Sequence, residues 1–169
     1  AAVAVGFALA VVLPNAGNIG GGGFMLIHDA KSGKDIALDF RELAPALAHR
    51  DMFLDQSGKI IPGSSTSTHL AVGVPGTVAG FDLAIKKYGS LTLKELIAPA
   101  IQLAEQGFTV SPHLAAMLEA SRTQLAPWAS SRAVFFRDNR PLRAGEQLVQ
   151  KDLARSLRSI ARDGAAAFY

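Results

Sequence analysis

No cysteine occurs among the 169 residues. That absence excludes disulfides, thiolate metal ligands and a cysteine nucleophile, and leaves the redox compartment open. Histidine is sparse: the four, at positions 28, 49, 69 and 113, lie at least 20 residues apart. No HxxxH or HExxH spacing arises, so no metal site is expected; no cofactor is expected either. Charge is also thin, at 18% of residues, and none precedes Asp29. The apolar opening Ala1–Leu13 falls short of the roughly 20 residues that a bilayer span requires, so no membrane span is expected. It has no basic residue before it and no convincing cleavage site after it, which favours a core helix over a signal peptide. Seventeen Lys and Arg against 14 Asp and Glu leave a net charge of +3. The basic residues gather towards the second half but alternate with acids, and no run approaches a nucleic-acid tail. Nearly half of the chain is apolar, at 49%. That content excludes a disordered chain, and the length suits one domain with a substantial core.

What is present reads as α+β. Phe24–His28 and Asp35–Phe40 form a predicted β-hairpin about the turn Lys31-Ser32-Gly33-Lys34. Alternation along its second strand sends Ile36, Leu38 and Phe40 to one face, and Asp35, Ala37, Asp39 and Arg41 to the other. Helices are expected over Ala79–Tyr88, from a capping box at Thr92–Glu95 to Gly107, from Ser111-Pro112 onward, and over Asp152–Arg162. Ala133–Phe136 reads as a short strand leading into a turn. Ala1–Leu13, small and apolar all round, suits a helix enclosed by other elements. Strands come early and helices late, without βαβ alternation, which argues against a doubly wound parallel sheet.

Three features carry possible chemistry. The run Gly20-Gly21-Gly22-Gly23 could cradle a phosphate, yet it fits neither GxGxxG nor GxxxxGK[ST] and opens a strand rather than a helix. Its preferred reading is structural: positive φ, or close approach of another segment. Thr66, Ser67, Thr68 and His69 resemble a nucleophile beside a base, but a polar loop bonding its own backbone is the simpler reading. Arg41, at a strand end beside a loop, offers a donor fork suited to a carboxylate, or else an ion pair with Asp39, Glu42 or Asp51. Composition and spacing alone yield no reaction.

The local strings do resemble one family. They are Ala1-Ala-Val-Ala-Val-Gly-Phe-Ala-Leu-Ala-Val-Val-Leu-Pro14, Ala16-Gly-Asn-Ile-Gly-Gly-Gly-Gly-Phe-Met25, Asp39-Phe-Arg-Glu-Leu-Ala-Pro45 and Arg50-Asp-Met-Phe53. Others are His69-Leu-Ala-Val-Gly-Val-Pro-Gly-Thr-Val-Ala-Gly80, Tyr88-Gly89, Ala98-Pro-Ala-Ile-Gln-Leu-Ala104, Gly107-Phe108 and Phe168-Tyr169. In this order, over essentially the whole chain, they resemble the γ-glutamyltransferases, or γ-glutamyltranspeptidases, and the four-glycine form is similar to their bacterial branch.

The resemblance implies the N-terminal nucleophile hydrolase fold, an αββα sandwich of which this chain is a part. It implies a precursor that cuts itself into a large and a small subunit, with the small subunit's new N-terminal Thr as nucleophile. That Thr attacks the γ-amide of glutathione or a related donor, and the acyl group passes to water or to an amino acid or peptide amine. Residues 1–169 correspond to an interior stretch of the large subunit, without separate domains. An uncapped helix at Ala1 and an apolar run before Tyr169 suit a piece of a longer protein. No catalytic residue is expected here, and the segment alone should be inactive. The one substrate-binding residue that the resemblance assigns is Arg41, on the donor's α-carboxylate. The implied partners are the small subunit, the γ-glutamyl donor and the acceptor, and the implied location is periplasmic or secreted. A cephalosporin or glutaryl acylase-like relative, or a degenerate non-catalytic homologue, is the competing expectation.

Overall fold

The computed structural model describes all residues, 1–169. Its contacts group into two compact units, one of residues 1–18 and 81–169, the other of residues 19–80.

The first unit is mostly helical. It contains α1 (Ala2–Val12), most of α2 (Thr77–Tyr88), α3 (Leu93–Gln106), α4 (Pro112–Ala120), α5 (Arg122–Leu125), α6 (Ala129–Phe135) and α7 (Lys151–Asp163). α3 starts where the sequence says it should. Thr92 Oγ1 accepts the Glu95 N–H, and the Glu95 carboxylate accepts the Thr92 N–H at 2.7 Å. Those two reciprocal bonds satisfy donors that a helix N-terminus leaves orphaned. The Thr92 hydroxyl and N–H together hold the Glu95 carboxyl below the usual carboxylate range. Gly107, at φ +81°, ends the helix. Leu96, Ile97, Ala100 and Ala104 form the buried stripe of α3, and Ala154, Leu157 and Ile160 that of α7, which packs on it. α1 also lies on α3, and its Phe7 ring meets Phe81 edge-on at 5.0 Å. The buried Gln150 ties three of these parts. Its Nε2 donates to the Val11 carbonyl at 2.8 Å and its backbone N–H donates to Ala104.

Two expectations change here. α1 buries Val3, Phe7, Ala10 and Val11, whereas Val5 and Leu9 are exposed; the helix is covered along one stripe rather than all round. Residues 133–135, expected as strand, complete α6, and Val134 and Phe135 pack against the cluster of Val110, Leu114, Leu118, Leu142 and Leu148. Burial on that cluster overrides the β-propensity of the run. The strand begins at Phe136. β4 (Phe136–Arg137) and β5 (Arg140–Pro141) pair antiparallel around Asp138 and Asn139, both at positive φ, the geometry of a tight primed turn. β3 (Phe108–Thr109) pairs with β6 (Gln147–Leu148). Beside that pair, Glu146 accepts from both terminal nitrogens of Arg140 at 2.9 Å and from the Arg143 N–H at 2.6 Å.

The second unit is built on the predicted hairpin. β1 (Phe24–Asp29) and β2 (Lys34–Asp39) are antiparallel, with Phe24 opposite Asp39 and Asp29 opposite Lys34. Burial alternates as expected: Ile36 and Leu38 turn inward, while Asp35, Ala37 and Asp39 are exposed. From residue 40 the chain leaves the hairpin through irregular segments joined by bridges at Leu43–Val74 and Leu54–Ile60, and by a 3-10 turn at His69–Ala71. Asp55 closes the expected turn, accepting from the N–H groups of Ser57 and Lys59. No helix is long and apolar enough to cross a membrane.

Candidate functional site

The site forms around the end of β2. The strand ladder runs one pair beyond the hairpin, since Phe40 N–H donates to the Gly23 carbonyl at 3.0 Å and Gly23 N–H returns the bond at 3.3 Å. Three residues on, Leu43 and Val74 exchange backbone bonds of 3.1 and 2.8 Å. Arg41 sits between these two ties.

Its backbone is held by glycines. A Cβ on Gly22 would lie 2.5 Å from the Phe40 carbonyl oxygen and 2.8 Å from the Arg41 Cα, and one on Gly76 would fall on the same oxygen. These are backbone atoms that cannot swing aside, so only glycine permits the approach. Gly21 completes the arrangement, because its carbonyl accepts from both Gly76 and Thr77 N–H groups, at 2.8 and 3.0 Å. The glycine run is thus a close-packing device. None of its four members has positive φ, so close approach is the half of the sequence expectation that holds.

The Arg41 side chain leaves this clasp into solvent and is 68% exposed. Its guanidinium makes no hydrogen bond within the chain; the nearest carboxylate oxygen, on Glu42, is 3.9 Å from Nε. Of the three ion pairs anticipated for Arg41, the one with Glu42 forms, at long range, whereas those with Asp39 and Asp51 do not, since Asp51 faces Arg50 and Asp39 takes the Arg41 backbone N–H instead. Beside Arg41 lies a cleft of about 570 Å³, lined by Gly20, residues 41–45, Ala48, Met52, Phe53 and residues 70–73. A planar donor fork held only by a long ion pair to Glu42, at the edge of a cleft of mixed polar and apolar lining, can grip a carboxylate bidentately.

The other candidates scatter. His28 Nδ1 and Asp35 Oδ1, 2.7 Å apart, pair across the hairpin on its exposed face. The hydroxyls near His69 bond their own loop, with Thr68 Oγ1 donating to Ser64 and capping the 3-10 turn, and Ser64 Oγ donating to Ile61. Trp128 is half-exposed at the start of α6. Sequence reasoning did not anticipate the cleft wall from Met52, Phe53 and residues 70–73, which comes from stretches with no hydrophobic period. The Asp39-x-Arg41 spacing, an aspartate two residues before an N–H it can accept, was a readable signal for the local turn.

Comparison with known proteins first defines the class. The structure matches the solved γ-glutamyltranspeptidase of Helicobacter pylori with a TM-score of 0.95 and 50% identity, over 99% of this chain and 48% of that one. It also matches a cephalosporin acylase from Bacillus halodurans, with a TM-score of 0.82 and 28% identity, over 99% of this chain and 32% of that one. The fold is therefore that of the N-terminal nucleophile hydrolases, as expected, in its mixed helix and sheet composition.

A model of the gamma-glutamyltranspeptidase family matches residues 1–169, and the chain belongs to that family. It is 51% identical to a glutathione hydrolase proenzyme of Escherichia coli, aligning along its whole length but over 29% of that protein. The chain thus spans less than a third of the length of that curated relative.

Proposed function

We propose that the complete protein is a γ-glutamyltransferase acting on glutathione and related γ-glutamyl compounds, and that this segment supplies Arg41 to hold the donor's α-carboxylate. The observation behind this reading is the clasped backbone of Arg41 and its exposed guanidinium, paired only at long range with Glu42, at the edge of the cleft. A rigid attachment suits the task, because bound geometry within a fraction of an ångström governs the rate of an oriented reaction.

In this reading residues 1–169 are an interior stretch of the large subunit, and the N-terminal Thr of a small subunit cut from the same precursor is the nucleophile. Its hydroxyl oxygen adds to the γ-amide carbonyl, its proton passes to the Thr amine, and the amine of the donor's remainder departs with a proton. The ester that remains passes its γ-glutamyl group to water, or to an amino acid or peptide amine. Arg41 would secure the far end of the glutamyl group throughout. It fixes position and does none of the bond making. The segment alone, without the Thr, is inactive in this scheme, no cofactor takes part, and the complete protein works in the periplasm or outside the cell.

The test is release of p-nitroaniline from γ-glutamyl-p-nitroanilide by the complete source protein. Release supports the reading. Failure of a correctly cleaved protein, together with activity on a glutaryl amide, overturns it in favour of an acylase; failure without cleavage overturns it in favour of a degenerate homologue. The 51% identity to a glutathione hydrolase proenzyme, against 28% to the cephalosporin acylase, favours release.

A further inference from the structure

Asp39 holds the backbone of Arg41 while leaving its charge alone. N–H groups alternate sides along an antiparallel strand. The Phe40 N–H turns to Gly23, so that of Arg41 turns away from β1 and finds no strand there. Asp39 Oδ1 accepts it at 3.0 Å. That is the only hydrogen bond of the Asp39 carboxylate, which forms no ion pair. The bond closes a two-residue turn at the point where the chain leaves the hairpin. With Phe40 bonded to Gly23, and Leu43 to Val74, it adds a third backbone tie at Arg41 itself.

We infer that Asp39 is a positioning residue for donor binding: by accepting the Arg41 N–H it fixes the direction in which the guanidinium leaves the strand end. The inference rests on the reading of Arg41 as the carboxylate anchor. Its role is geometric, not one of charge, because the nearest carboxylate to the guanidinium belongs to Glu42. Asparagine, which retains the Oδ1 acceptor, should therefore replace it, whereas alanine should not.

The experiment compares Asp39→Ala, Asp39→Asn, Arg41→Ala and the Asp39→Ala/Arg41→Ala pair in the complete source protein, with γ-glutamyl-p-nitroanilide as donor. Asp39→Ala should raise the donor KM about three- to tenfold, the usual range for one lost hydrogen bond. Its kcat should stay within about twofold, the signature of lost ground-state binding. Asp39→Asn should keep the wild-type KM. In the Arg41→Ala background, Asp39→Ala should change nothing further, since residues acting through one contact are not additive. A general loss of structure would act in both backgrounds. If Asp39→Ala does not fold, Asp39→Gln replaces it; its longer amide cannot close the turn, and it should raise KM similarly.

A wild-type KM in Asp39→Ala (or in Asp39→Gln standing for it) overturns the inference. So does an Asp39→Asn enzyme as impaired as Asp39→Ala, or an Asp39→Ala effect that persists without Arg41. If Arg41→Ala itself leaves KM unchanged, the anchor reading fails and takes this inference with it; if only Asp39→Ala is silent, the anchor stands.

Discussion

At the scale of the residue, Arg41 concentrates the functional argument. A guanidinium that is exposed yet mounted on a backbone closed in by Gly22 and Gly76 retains side-chain reach while its root is fixed. Arg41→Ala in the complete protein should lower kcat/KM for the γ-glutamyl donor by roughly 30- to 1,000-fold, mostly through KM, the loss expected for a charged, hydrogen-bonded contact. Arg41→Lys should recover part of it, because an ammonium holds a carboxylate as a point charge and not as a fork. Steady-state kinetics with γ-glutamyl-p-nitroanilide decide both. The sequence placed Arg41 at the strand end and on the correct face by alternation alone. What it could not show was the clasp, because Gly76 lies 35 residues from Arg41 and nothing in local periodicity links them.

Among the elements, the β4–β5 turn and the start of β6 depend on one carboxylate. Hydrogen bonds from Arg140, the Arg143 N–H and the nearby charges of Arg140 and Arg137 lower the Glu146 carboxyl from 4.5 to about 2. A carboxyl whose folded pKa lies below its unfolded value stabilises the fold above the unfolded pKa and ceases to do so as pH falls through the folded one. Glu146→Gln should therefore lower the melting temperature of the complete protein by a few degrees at pH 7. The gap from wild type should narrow as pH drops from about 4.5 towards about 2. Thermal melts across that range measure it; a gap independent of pH would show that packing, not charge, was lost. Elements with chemical punctuation were readable in advance. Thr92 and Glu95 marked the start of α3, Ser111-Pro112 the start of α4, and Lys31–Lys34 the hairpin turn. Residues 133–135 were not, because Val134 and Phe135 look β-prone until the apolar cluster they cover is known. The two-residue pairing of β3 with β6 was equally hidden, being too short to have a period.

For the molecule as a whole, the first unit has a tight helical core and the second an open, loop-rich construction around its cleft. Ile97, fully buried on α3, belongs to the former. Ile97→Ala should cost about 2–5 kcal/mol of stability, the transfer and cavity terms together. Denaturant unfolding of the complete protein measures that loss. The donor KM of the folded enzyme should not change, since every residue around Arg41 that shapes the cleft belongs to the second unit. A KM that rises with Ile97→Ala would mean that the helical core and the cleft are energetically coupled.

The bond from Gln150 to Val11 joins residues 139 positions apart, with the whole of the second unit between them in the chain. On the ribosome this imposes an order. Residues 19–80 are contiguous and complete long before the first unit is, whereas α1, made ahead of them, must wait for residue 150 to emerge before the Val11 carbonyl meets Gln150. Until residues 93–106 emerge, the apolar stripe of Val3, Phe7, Ala10 and Val11 is without α3 and is open to chaperones or to aggregation. α1 is thus locked only after the second unit is complete, and slowing translation between residues 20 and 106 should lengthen the exposure of its stripe.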